Sequence, residues 1–192
     1  MEIKLEDKEK LLTEIAREVN TCEKCALAKT RLKAVPGYGS LEAKLMFIGE
    51  APGRTEDEQG LPFVGQAGKV LDKALAANGL SRGTCFIANV AKCRPPKNRV
   101  PAPEEVACCL PYLTIQIKIL EPKCIVLLGA TALKYFIKEE KLSISALRGK
   151  KIVLENRIFV PTYHPAACLR NYKYYEVIVQ DIAFAKNLIA TN

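Results

Sequence analysis

The chain has 192 residues, 49% of them hydrophobic, which suits one globular domain over residues 1–192 with a core of its own. No apolar run approaches the ~20 residues of a membrane span, and no basic-then-apolar stretch opens the sequence, so the expectation is a cytoplasmic protein with no membrane partner. Twenty-nine Lys and Arg against 21 Asp and Glu leave a net charge of +8; the excess favours an acidic partner such as nucleic acid, a merely basic soluble protein being the plain alternative.

In chain order, Leu12, Ile15, Ala16 and Val19 fall at helical spacing, so residues 6–19 read as an amphipathic helix ending near Cys22. Lys44 to Ile48 is a short apolar strand, and Ala67 to Ala77 a helix stopped by Asn78-Gly79. Phe86 to Val90 is a second strand. The Pro-rich basic segment Cys93 to Pro101 is exposed loop, because proline continues neither a central strand nor a helix interior. Val106, Leu110, Leu113, Ile117 and Leu120 repeat at four-three-four-three, a helix with an irregularity at Pro111. Cys124 to Leu128 is a buried strand entering Gly129-Ala130-Thr131 and another helix. Residues 151–163 form a hairpin about Glu155-Asn156, and a last helix covers about Tyr174 to Ile189. Strands alternating with helices predict an α/β fold, a parallel sheet covered on both faces.

Eight cysteines are many for a reducing compartment, where structural disulfides are rare. Metal or cluster ligation is then the leading use of some of them. Cys22 and Cys25 form a C-x2-C pair, the spacing that turns two thiolates toward one metal. Cys93 opens the basic loop, and Cys109 lies in the following helix. Cys108 competes with Cys109 as a ligand, but Cys109 stands on the buried edge defined by Val106 and Leu113, with Cys108 turned away. One close pair plus two scattered cysteines suits a cubane cluster better than zinc, which usually takes two close pairs. Cys85, Cys124 and Cys168 read as small buried hydrophobes.

Two strand ends carry reactive side chains. Gly49-Glu50-Ala51-Pro52-Gly53 follows the strand ending at Ile48. His164-Pro165-Ala166-Ala167 follows the extended segment from Arg157 to Tyr163, and His164 is the one histidine in the chain. Ligands of open α/β sheets bind at the carboxyl ends of strands, so a carboxylate and an imidazole presented there outline an active site. Glu56 and Asp57 read as a solvated acidic turn.

Taken together, Gly49 to Gly53, Glu56-Asp57, Gly60-Leu61-Pro62-Phe63-Val64-Gly65, Asn89 to Pro96, Pro103-Glu104-Glu105 through Cys109-Leu110-Pro111-Tyr112, and Thr162 to Ala167 resemble the motifs of the family 4 uracil-DNA glycosylases. The likeness covers about residues 20–190 in the family's order. It implies a three-layer α/β/α sandwich around a four-stranded parallel sheet, excision of uracil from DNA, and a [4Fe-4S] cluster on Cys22, Cys25, Cys93 and Cys109.

Such an enzyme must flip its nucleotide out of the duplex. Phe63 can stack on the flipped base. The Asn89 carboxamide can donate to uracil O4 while accepting from N3–H, a pattern that cytosine reverses. His164 can donate to O2 as negative charge builds on the leaving base. Glu50 can orient the attacking water, stabilise the sugar cation or shape the pocket near C5; the sequence leaves these open. Arg94, Lys97 and Arg99, with the amides of Gly129, Ala130 and Thr131 at a helix start, are candidates to grip phosphates. Leu169 and Arg170 suit a wedge into the vacated stack and a phosphate or base contact. The protein is expected to work as a monomer on uracil-containing DNA, with a sliding clamp or another replication protein left open as a partner. The competing reading is a non-enzymatic iron–sulfur module that binds nucleic acid or senses oxidation.

Overall fold

In the computed structural model, which describes residues 3–137 and 143–190, the apolar runs become strands buried on both faces. β1 (Tyr38–Gly39), β2 (Leu45–Gly49), β3 (Phe86–Asn89), β4 (Cys124–Leu128), β5 (Ile152–Leu154) and β6 (Arg157–Thr162) form one sheet in the order β1-β3-β2-β4-β6-β5. The inner four, β3, β2, β4 and β6, are parallel, and β1 and β5 add antiparallel edges. The helices are α1 (Leu5–Thr21), α2 (Arg54–Gln59), α3 (Gln66–Ala77), α4 (Pro103–Leu120), α5 (Ala130–Phe136), α6 (Ile144–Leu147) and α7 (Lys173–Ala190).

β2 shows how the strand period of two divides the core. Met46 and Ile48 pack with Leu12 and Val19 of α1 and with Leu113 and Ile117 of α4. Leu45 and Phe47 face the other way, onto Leu71 and Leu75 of α3 and Ile178 and Ile182 of α7. Each such burial stabilises by roughly 1.5–3 kcal/mol, and the result is the expected three-layer sandwich. Among the described residues no helix is long and apolar enough to cross a membrane.

The sheet has six strands where four were expected, because two short edges extend the parallel set. β1 is only two residues long and approaches so closely that a Cβ on Gly39 would collide with the backbone of Cys85. Two residues hold no period to read. β5 is the outer arm of the expected hairpin, whose two-residue turn places Glu155 and Asn156 at φ 48° and 60°. α4 runs through Pro111 as one helix. Pro111 is exposed, and so is Ala107, whose carbonyl loses its donor and can be hydrated instead.

The acidic turn is not solvated. Glu56 and Asp57 belong to α2 and are 9% and 2% exposed. Glu56 accepts from the amides of Gly53 and Gly65 at 3.1 and 2.7 Å, and Asp57 accepts from the amide of Leu32 at 2.9 Å. Both carboxylates are buried because they satisfy loop amides that would otherwise lack partners. A further buried carboxylate, Asp181 of α7, takes the Thr162 hydroxyl at 2.7 Å and the Arg148 Nε at 2.9 Å, fixing α7 against the end of β6.

Candidate active site

The parallel strands β2, β3, β4 and β6 end on one side of the sheet, where Glu50 and His164 follow β2 and β6, Asn89 closes β3, and Thr131 stands in the first turn of α5 after β4. Between these loops lies a cavity of about 310 Å³ whose walls include Glu50, Phe63, Asn89 and His164. The base-reading residues expected from sequence are therefore brought together.

Their closeness depends on what is missing at Gly49. A Cβ there would stand 2.5 Å from Asn89 Oδ1 and 2.5 Å from Phe63 Cζ. Phe63 itself adopts φ 53°, a left-handed backbone that costs a non-glycine residue about 1–3 kcal/mol and persists only when its surroundings impose it. Here Arg82 imposes it. One Arg82 nitrogen donates to the Phe63 carbonyl, another to the Pro62 carbonyl at 2.7 Å, and Asp72 holds Arg82 Nε at 2.7 Å. The Phe63 ring ends 5.5 Å from the His164 ring, centroid to centroid. Arg82 had no local signal in Ser81-Arg82-Gly83, since its targets lie in another segment. Glu56 did have one: a glutamate three residues after Gly53, reaching back to the Gly53 amide, is half of a capping box.

Asn89 is 1% exposed, and its Oδ1 is the buried side-chain polar atom that, among the described residues, has no hydrogen-bond partner. An orphaned acceptor is costly, about 1–3 kcal/mol, unless a ligand satisfies it. His164 Nδ1 accepts from the Ala166 amide at 3.1 Å, which puts the ring proton on Nε2. Burial lowers its pKa from 6.5 to about 4, only partly opposed by the Glu56 charge, so the imidazole is neutral at pH 7 and donates through Nε2–H. Glu50 Oε2 accepts from the Thr131 hydroxyl.

The proposed phosphate contacts fare unevenly. Lys97 is exposed. Arg94 donates to Asn98 Oδ1 at 2.7 Å, and Arg99 forks onto Glu105 at 2.8 and 2.6 Å, which raises the Arg99 pKa and lowers that of Glu105. These two cations brace the loop, Arg99 from an exposed position and Arg94 from a half-buried one beside Asp57. The Gly129 amide is not free for phosphate: it donates to the Thr162 carbonyl at 2.9 Å. Gly129 instead makes room, since a Cβ on it would meet His164 Cβ at 2.9 Å. Ala130 is exposed at the start of α5, whereas the Thr131 hydroxyl is committed to Glu50. Leu169, 56% exposed, and Arg170 follow the His164 loop on the surface.

None of the eight cysteines is joined in a disulfide. Cys93 and Cys109 are buried, and each feels the charge of Cys25. Burial first of all pushes the Cys109 thiol up to about 11 and raises that of Cys93. Arg31 Nη1 donates to Cys93 Sγ at 3.0 Å, and the Lys92 amide to Cys109 Sγ at 3.4 Å. Cys108 is half-buried and donates to the carbonyl of Lys24, inside the C-x2-C loop, at 3.3 Å. Among the described residues no three Cys, His, Asp or Glu side chains close around a single metal ion. Cys93 lies within electrostatic reach of Cys22 and Cys25, and Cys109 within reach of Cys93 and Cys25.

The profile of the uracil DNA glycosylase superfamily matches residues 36–183. The chain is 42% identical to the type-4 uracil-DNA glycosylase of Thermotoga maritima, a likeness covering 95% of this chain and 96% of that one. It is 45% identical to the type-4 enzyme of Sulfurisphaera tokodaii, over 94% of this chain and 86% of the other. This chain belongs to the uracil-DNA glycosylase superfamily, on its type-4 branch. A type-5 uracil-DNA glycosylase of Pyrobaculum aerophilum is more distant, at 31% over 70% of the chain. The superfamily match begins after the C-x2-C pair, but coverage of 95% leaves out only about ten residues and so takes in Cys22 and Cys25. The pair therefore falls within the type-4 likeness and outside the superfamily match.

Proposed function

We propose that the protein is a monofunctional glycosylase that flips uracil out of DNA and hydrolyses its N-glycosidic bond, leaving an abasic site. The observation that carries this reading is the orphaned Oδ1 of Asn89, beside a ring and an imidazole in one cavity. Uracil N3–H supplies the missing donor, and the Asn89 Nδ2 group then donates to O4. Cytosine offers a bare N3 and an amino group at those places and is rejected on both.

The steps follow from the residues. The extruded base stacks on Phe63, which is already held in place. As the C1′–N1 bond breaks, its electron pair leaves with uracil and charge spreads onto O2, where the neutral His164 Nε2–H stabilises it. No proton need be transferred, in keeping with an imidazole that resists protonation. Water adds at C1′ of the sugar cation, and the proton it loses ends on the departed uracil anion through solvent, so the products are neutral uracil and an abasic sugar. Thr131 holds one oxygen of Glu50, leaving the other to orient that water or face the cation.

Cys22, Cys25, Cys93 and Cys109 are the residues that would hold a [4Fe-4S] cluster. Their fit rests on the N–H donors aimed at Cys93 and Cys109, as thiolate sulfurs require. When bound, the cluster supplies a crosslink between the end of α1 and the base of the basic loop. Lys97, Arg94, Arg99 and the α5 start would contact phosphates, with Leu169 filling the gap in the stack. Every part of this reading lies within one chain, which would act as a cytoplasmic monomer. An iron–sulfur binding module without catalysis leaves the pocket residues without a joint purpose. Incubation with a uracil-containing oligonucleotide and alkaline scission tests the reading; intact strands from cluster-loaded protein would refute it.

A further inference from the structure

Past the His164 loop, Leu169, Arg170, Asn171, Tyr172 and Lys173 are consecutive exposed residues. Tyr172 is 66% exposed, the most exposed aromatic side chain among the described residues. Its ring is nevertheless held: it stacks on Tyr175 with centroids 5.2 Å apart and planes at 18°. The backbone beneath is fixed too, since the Lys173 amide donates to Asn171 Oδ1 at 3.1 Å and the Tyr175 amide to the Tyr172 carbonyl at 2.9 Å. One face of the Tyr172 ring is thus covered, and the ring stands as a preformed flat surface at the protein's edge.

We propose that Tyr172 stacks a nucleobase neighbouring the lesion on the DNA strand that carries uracil. The inference rests on the reading of the protein as a uracil-DNA glycosylase and adds to it a contact outside the pocket. A base whose neighbour has been flipped out loses one stacking partner, and an aromatic ring can replace it. Tyr172 lies three residues beyond Leu169, on the surface that follows His164, where such a base would pass. Arg170 and Lys173 bracket it with positive charge for the adjoining phosphates, against one acid, Glu176, a turn further on. Two cations around a bare ring suit nucleic acid better than a protein surface.

The test uses the purified, cluster-loaded protein and a single-stranded oligonucleotide with a tetrahydrofuran abasic analogue flanked by 2-aminopurine, whose fluorescence falls on stacking. Wild type should bind and quench. Tyr172→Ala should lose the quench and weaken binding by about 5–150-fold, the range for one base–aromatic stack. Tyr172→Phe should keep both, because stacking uses the ring and not the hydroxyl. Unchanged quench and affinity in Tyr172→Ala would overturn the proposal and leave the surface to a protein partner; so would a loss in Tyr172→Phe as large as in the alanine variant. Uracil excision is assayed on the same preparation. Absent excision with a Tyr172-dependent quench would refute the functional reading and leave this platform standing.

Discussion

Arg82 grips the backbone of Phe63 from outside the pocket, through the carbonyls of Phe63 and Pro62. The ring proposed to receive the base is therefore placed by a cation whose own position is set by Asp72 on α3. This pair converts an unfavourable local conformation at Phe63 into a fixed platform.

Arg82→Met should free the Phe63 loop and lower kcat/KM on uracil DNA by about 10–100-fold, mainly through KM, since stacking is worth roughly 1–3 kcal/mol. Arg82→Lys should recover only part, because an ammonium cannot fork onto two carbonyls and a carboxylate. Steady-state kinetics of the two variants decide it; wild-type KM in Arg82→Met would remove the clamp from the account.

Burial keeps the His164 imidazole neutral, with a pKa of about 4 against the ordinary 6.5. The unfolded chain therefore takes up this proton first as pH falls. The contribution to stability is full above about pH 6.5 and is lost as pH falls from there toward 4, a few kcal/mol at most. For the same reason the single-turnover rate should be flat from about pH 8 to pH 5, with no acid limb near 6.5. His164→Ala should slow bond breaking by about 10²–10³-fold, the range for losing one donor to developing charge. An inflection at 6.5 that vanishes in His164→Ala would show a protonated imidazole at work instead.

Asn89→Asp keeps the shape of the side chain but replaces the donor to O4 with an acceptor. Uracil excision should fall by roughly 10⁴-fold, because both partners in a buried site go unpaired. A weak gain on cytosine in single-stranded DNA is the expected companion. Undiminished uracil excision, with folding intact, would falsify base reading by Asn89.

The two adjacent cysteines offer a direct contrast. Purified without oxygen, the protein should be brown and carry close to four irons, as one cubane on four thiolates requires. Cys109→Ser should lose the iron, and Cys108→Ser, whose thiol faces the Lys24 carbonyl, should keep it. Stoichiometric zinc, or the reverse outcome for the two variants, would overturn the assignment.

Short-range pattern made much of this protein legible in its sequence. The apolar runs at β2 and β4 and the helical periods of α1, α3 and α4 are local consequences of burial on two faces or one, so they appear in the order of residues. The strand-end positions of Glu50, Asn89 and His164 followed from the apolar runs of β2, β3 and β6. The expectation that Cys109 is the more buried of the two adjacent cysteines followed from helical phase, and the structure buries Cys109 while leaving Cys108 half-buried.

What the sequence could not decide depends on partners distant along the chain. Glu56 and Asp57 look like surface acids until Gly65 and Leu32 bring amides to them. Arg82 looks like a loop cation until Phe63 and Pro62, some twenty residues earlier, present their carbonyls. The Gly129 amide looks free until β6 supplies the Thr162 carbonyl, and nothing near Thr131 in the sequence shows that its hydroxyl reaches Glu50. Hydrophobic period is written into neighbouring residues because water acts on each side chain separately. Hydrogen bonding of a buried polar group needs a particular second atom, and only the folded chain determines which one arrives.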